Sequence, residues 1–112
     1  MENGLVVTGV DLGTDSTLMT LERLVKDVLA GLSEHTRRVY APHIKRFVQN
    51  GYQLNREGLQ RWIGDERDKR KTPAAINQGI SAVKKLAEEC GERGLIGAVE
   101  WGGVRSVKRL KQ

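Results

Sequence analysis

The sequence is poor in cysteine and lacks any long apolar run. Cys90 is the one cysteine in 112 residues, so no intrachain disulfide can form, which favours a reducing compartment over secretion. No apolar stretch approaches the roughly 18 residues that a membrane span needs. Residues 1–16 hold three acidic residues and no basic one, unlike a signal peptide. We therefore expect a soluble cytoplasmic protein with no membrane partner.

Catalytic and metal-binding patterns are also missing. His35 and His43 are eight residues apart, too far along a helix to hold one ion together. Ser33 and His35 are two residues apart and would point to different sides of a helix, so they form no catalytic pair. Cys90 falls on an apolar helix face, where an inert buried thiol is expected. We predict no metal, no cofactor and no catalytic residue in this chain.

Positive charge is present in excess, and it is unevenly distributed. Nineteen Lys and Arg residues oppose 14 Asp and Glu residues, which gives a net charge of +5. Residues 1–31 hold five acidic and two basic residues, whereas residues 71–85 and 101–112 hold basic residues and no acidic ones. A polyanion, most often nucleic acid, is the natural partner of such a surface. The alternative is that the basic composition serves solubility alone.

Apolar residues recur at helical spacing in four segments, and no segment has the alternation typical of a strand. The pattern predicts an all-α domain of four helices over residues 20–96. Residues 1–19 are rich in glycine and turn formers and are expected to be a flexible leader. Residues 97–112 are basic and contain glycine, and they are expected to be an extended, disordered linker that Trp101 alone could pin to the bundle.

Local signals mark where the helices begin. Ser33, Asn55 and Thr72 are good N-caps for the second, third and fourth helices, and Pro73 suits the first position of the fourth. Pro42 lies inside the second helix, where it removes a hydrogen bond and is expected to kink or break the helix.

Two of the predicted helices bring polar and basic side chains to one side. Hydroxyl groups, cations and helix N-termini bind phosphate, while Asn and Arg can also reach base edges. The alternative is that these are ordinary capped helices with solvated lysines. The candidate DNA-binding residues are Thr36, Arg37, Arg38 and Lys45 on the second helix, and Lys71, Thr72, Asn77, Ser81, Lys84 and Lys85 at the start and along the face of the fourth.

Residues 20–96 resemble the core-binding domain of tyrosine recombinases, the phage integrase family. The resemblance depends on the order and spacing of residue types in two segments. The first segment matches at Ser33, Thr36, Tyr40, Ile44 and Phe47, and the second at Thr72, Ile76, Asn77, Ser81, Ala82, Gly94, Leu95 and Ile96. The chain departs from the family pattern at Pro42 and at Gly97-Ala98, where Asn-Pro is usual.

The resemblance implies a SAM-like orthogonal helical bundle that forms half of a clamp around double-stranded DNA. The other half in that family is a catalytic domain with Arg, Lys, a His-x-x-Arg pair and a Tyr nucleophile. Two His-x-x-Arg spacings are present, His35 to Arg38 and His43 to Arg46, but both lie within the first matched segment of the core-binding domain. Tyr40 and Tyr52 match no nucleophile context. We therefore expect a non-enzymatic part of a longer recombinase from a bacterium or phage, with residues 97–112 leading to the catalytic domain.

The resemblance also implies partners beyond DNA: the catalytic domain of the same parent chain, and other recombinase protomers assembled on the DNA. A rival interpretation is a helical protein–protein interaction module, because SAM-like bundles also associate with one another. Such a module would expose an apolar patch in place of a basic one.

Overall fold

The computed structural model describes residues 15–111, with side chains described from residue 22 onward. This part of the chain contains five α-helices and no β-strand: α1 (Asp15–Ala30), α2 (Glu34–Gln49), α3 (Arg56–Asp68), α4 (Pro73–Glu92) and α5 (Ala98–Arg105). The all-α prediction is confirmed, with one helix more than the sequence pattern indicated. Most of the expected leader, residues 1–14, lies outside the described residues.

Helix α4 is the centre of the fold and packs against each of the other four helices. Its apolar stripe runs the full length of the helix and is completely buried at Ile80, Val83 and Leu86. The two largest fully buried side chains, Phe47 of α2 and Trp62 of α3, lie in the same core. Burial of such side chains contributes roughly 1.5–3 kcal/mol each, so α4 anchors the bundle.

The three predicted N-caps are confirmed. The Ser33 hydroxyl accepts a hydrogen bond from the backbone N–H of Thr36 at 3.2 Å, and the Asn55 side chain accepts one from Gly58 at 2.8 Å. The Thr72 hydroxyl accepts one from Ala75 at 3.1 Å. Each cap satisfies an N–H that has no partner within its helix, and each fixes where the helix begins.

Three expectations about the helices need correction. Of the two effects expected of Pro42, a kink or a break, the break is wrong, because α2 is continuous from Glu34 to Gln49; Pro42 is exposed to solvent. Helix α1 begins at Asp15, five residues before the expected start at Thr20. Within the expected linker, residues 97–111 are not an extended arm, because α5 and the segment after it pack against the bundle with Val104 and Val107 buried.

Candidate nucleic-acid interface

The start of α2 holds the first group of predicted DNA-binding residues. Ser33 donates to the Thr36 hydroxyl at 2.9 Å, so the half-buried Thr36 belongs to the capping arrangement. Arg38 is largely in solvent and lies 3.5 Å from the Glu34 carboxylate, a contact worth little at such exposure. Arg37 is half-buried, and Lys45 is exposed two turns further along the same side as Arg38. These cations remain available to a ligand.

The polar face of α4 holds the protein's own C-terminal segment. Asn77, only 8% exposed, donates from Nδ2 to the Leu110 carbonyl at 2.9 Å and accepts at Oδ1 from the Leu110 N–H at 2.8 Å. One side chain thus satisfies both backbone groups of a residue 33 positions away.

Two further residues of the same face continue these contacts. Lys84 donates from Nζ to the Val107 carbonyl at 2.6 Å, and Arg109 donates to the Ser81 hydroxyl at 2.6 Å. Burial lowers the pKa of Lys84 below its ordinary value, and the nearby charge of Arg109 lowers it further. Residues 107–110, which we call the C-terminal segment, are therefore held at three points along α4.

These contacts correct the expected roles of Asn77, Ser81 and Lys84. The sequence predicts that they face a DNA groove, whereas the structure brings them together beneath the C-terminal segment. Lys85, at the edge of this face, lies 3.5 Å from Glu88 and 3.8 Å from Glu89, so its charge is largely compensated. A ligand approaching α4 from this side meets residues 107–110 first.

A cleft lies between α3, the start of α4 and the C-terminal segment. It consists of two adjoining hollows of about 440 and 390 Å³ that share Arg67 and Leu110 in their walls. Apolar side chains such as Ile63 and Ile76 also contribute to the walls. Five cations line the cleft, which we call the basic cleft: Arg56, Arg67, Lys71, Lys108 and Lys111.

The basic cleft has uncompensated positive charge. Its lining residues, all within the described part of the chain, include no Asp or Glu. None of its five cations forms an ion pair with another residue of the range 22–111. Pro73, the first residue of α4, also lines the cleft, and the partial positive charge of that helix end adds to the field.

The turn before α4 sets the position of Lys71. Helix α3 ends with the N–H of Arg70 bonded to the Arg67 carbonyl at 2.9 Å and the N–H of Lys71 bonded to the Glu66 carbonyl at 3.1 Å. Arg70 has φ of 63°, the left-handed conformation that this ending needs and that glycine usually supplies. Lys71 is therefore held at the mouth of the basic cleft, immediately before Thr72.

Only Lys71 of the basic cleft belongs to the predicted set. Arg67 lies in a stretch that mixes acidic and basic residues, a pattern that predicts a solvated helix end and not a binding site. Lys108 and Lys111 are visible in the sequence as part of an acid-free basic stretch, but that stretch was expected to be a linker. Their placement beside α3 depends on contacts between distant residues, which no local pattern reveals.

Other titratable side chains contribute to packing. Burial raises the pKa of the Cys90 thiol to about 11. Tyr52 stacks on Phe47 and donates to the Asp65 carboxylate; burial, followed by this hydrogen bond, raises the pKa of Tyr52 to about 12. Both groups are protonated at neutral pH. Within the described residues, no three His, Cys, Asp or Glu side chains are grouped so that they could hold a metal ion.

Comparison of the chain with protein-family models, with curated proteins and with solved structures gave no significant match. None of the helices in the described part of the chain combines the length and apolarity needed to cross a membrane.

Proposed function

We propose that this chain is the DNA-binding module of a site-specific tyrosine recombinase and that it holds duplex DNA by its phosphates. The observation that carries the proposal is the basic cleft, where five cations gather without a carboxylate in the lining. Duplex DNA carries one negative charge per roughly 1.7 Å of its axis, and cations that replace its counterions supply most non-specific affinity. The sequence resemblance adds the recombinase context.

Positive charge continues from the basic cleft towards α2. Lys71 at the cleft and Arg46 on α2 both act electrostatically on His43, a residue of α2 that contacts Trp62 of α3 and Gln78 of α4. Of the predicted cations on α2, Lys45 lies two residues from His43 and so about 200° around the helix from it, on the side away from the basic cleft. In this proposal the C-terminal segment makes the DNA contacts that the sequence analysis predicted for the polar face of α4.

The surface offers less support to the rival protein-interaction module. That interpretation needs an exposed apolar patch, and Val99, at 83% exposed, is the large hydrophobic side chain that stands out on the described surface. Single exposed apolar residues are normal on monomeric proteins. The basic surface therefore favours DNA over a second protein.

The parent protein would supply the chemistry. Under this proposal, a catalytic domain of the same parent chain cuts and joins the DNA in a bacterial cell, and other protomers assemble beside it on the DNA. The SAM-like arrangement of the helices belongs to the same proposal.

The test is binding to a fluorescent duplex of about 20 base pairs across a series of salt concentrations. We expect micromolar affinity at low salt, and a slope of log K against log salt of roughly −4 to −5 if about five phosphates are neutralised. Reversing two cleft charges with Arg67→Glu and Lys71→Glu should weaken binding at least about tenfold and make the slope shallower by about 2.

A matched control reverses two cations elsewhere. Lys26 is exposed on α1, and Arg93 follows the far end of α4, roughly 30 Å from its start. Lys26→Glu with Arg93→Glu changes the net charge equally and should weaken binding much less. Equal losses of affinity in the two double variants would mean that net charge alone explains the effect. A wild-type chain that does not bind DNA at low salt would refute the proposal.

A further inference from the structure

Asn77 does not line the basic cleft, but it binds the segment that carries two of the cleft's cations. Its amide binds both the N–H and the carbonyl of Leu110, at 2.8 and 2.9 Å, which fixes one peptide segment in place and orientation. Lys108 and Lys111 lie two residues before and one residue after Leu110. They line the cleft because the backbone between them is held on α4.

Holding these lysines in the cleft has an electrostatic cost. Lys108 lines the same hollow as Arg56 and Arg67, and Lys111 lines the other with Arg67 and Lys71. Like charges gathered without an acidic partner repel one another, and a bound polyanion removes that repulsion. Docking of the C-terminal segment and binding of phosphate should therefore each favour the other, as linkage requires.

We infer that Asn77 is a positioning residue for phosphate binding, which acts by holding Leu110 and so keeps Lys108 and Lys111 in the basic cleft. The inference rests on the proposed DNA binding and identifies the residue that positions two of its phosphate-binding lysines. Ser81 and Lys84 assist by holding Arg109 and Val107, but Asn77 is the residue that binds both backbone groups of one position.

The test is a double-mutant cycle in the full chain, read by duplex binding. Asn77→Ala should weaken binding about as much as Lys108→Ala with Lys111→Ala, and each should make the salt slope shallower by up to about 2. The triple variant should bind no more weakly than the lysine pair alone, because Asn77 has no effect once the cations it positions are gone. Gln78→Ala is the control and should keep the wild-type slope, because Gln78 is next to Asn77 on α4 but contacts His43 and not the C-terminal segment.

A second variant approaches the same contact from the other side. Leu110→Pro removes the N–H that donates to Asn77 Oδ1 and leaves the sequence of α4 unchanged. It replaces Asn77→Ala in the test if circular dichroism shows that Asn77→Ala does not fold. It should reproduce the loss of affinity and the shallower slope. If the fold-loss of affinity in the triple variant equals the product of the losses in Asn77→Ala and in the lysine pair, Asn77 does not act through these lysines. The proposed DNA binding would still stand. A wild-type chain without DNA affinity would overturn both.

Discussion

At the scale of single residues, hydrogen bonds to near neighbours decide where the helices begin. Ser33, Asn55 and Thr72 each accept from a backbone N–H three residues ahead. A cap of this kind depends on one side chain and on the turn that follows it, so the sequence predicts it directly. The partner of Tyr52 is different, because Asp65 lies 13 residues away on α3.

His43 is a titratable residue at the junction of three helices. Its Nδ1 lies 3.3 Å from the Arg46 guanidinium and its Nε2 lies 3.5 Å from Gln78 on α4. Burial is the main cause that lowers the pKa of His43, and the charges of Arg46 and Lys71 lower it further; Gln78 and Glu66 act in the opposite direction. The neutral ring is therefore the form that fits this site.

The position of His43 predicts a pH dependence of stability. Because its pKa is lower in the folded chain than the ordinary 6.5, the unfolded chain takes up the proton first as pH falls. The contribution of His43 to the free energy of unfolding is complete above pH 6.5. It is lost below that pH, by at most about 1.4 kcal/mol per pH unit. Urea unfolding at pH 7.5 and 5.5 measures the loss, which His43→Gln should reduce. An unchanged loss in that variant would contradict the assignment, and the exposed His35→Gln serves as the control.

At the scale of helices, close approaches depend on glycine. A Cβ built on Gly79 of α4 would lie 2.1 Å from the Trp62 ring, so the two helices meet where α4 has no side chain. Gly64 of α3 has nothing within 4 Å of the corresponding position. The two positions therefore form a matched pair of helical glycines, one in contact and one in open space.

Substitution of these two glycines by alanine should have opposite effects. Gly79→Ala forces the Trp62 ring or the helix to move and should lower the free energy of unfolding by roughly 1–3 kcal/mol. Gly64→Ala should raise it by about 0.5–1 kcal/mol, because alanine is the better helix former. Thermal and urea unfolding measure both. A Gly79→Ala chain as stable as the wild type would show that α3 and α4 are less closely packed than described.

Helix α5 shows why one element could not be predicted from sequence. It has eight residues and includes Gly102 and Gly103, so its intrinsic helical tendency is low. Its stability comes from packing: Val104 is fully buried, Trp101 lies against Gly91 of α4, and Gly103 approaches Arg56 of α3. These contacts join residues far apart in sequence, whereas the periodic patterns of α2, α3 and α4 are local and were predicted correctly.

At the scale of the whole molecule, long-range contacts determine the candidate interface. The sequence identifies basic stretches and a polar face on α4, and both are present. It does not reveal that the C-terminal segment lies on that face, because the bonds between Asn77 and Leu110 span 33 residues. As a result, the residues predicted from sequence include Lys71 of the basic cleft but not Arg56, Arg67, Lys108 or Lys111.

The packed end of the chain predicts order in the absence of DNA. Residues 104–110 should have backbone amide order parameters near those of the helices, about 0.85, because Val104 and Val107 are buried and Leu110 is bonded to Asn77. Nuclear magnetic resonance relaxation of the free chain measures this. Values below about 0.6 through this range would mean that the segment is a flexible arm until DNA binds.

The docked C-terminal segment also affects how the protein can be handled. Lys111 lines the basic cleft, so any tag fused after Gln112 starts two residues after a cleft-lining side chain. A polyhistidine or acidic tag at that end would place its own charges and bulk beside Arg67 and Lys71. Affinities measured on such a fusion would then report the tag as well as the protein, and a cleavable tag at the other end avoids the problem.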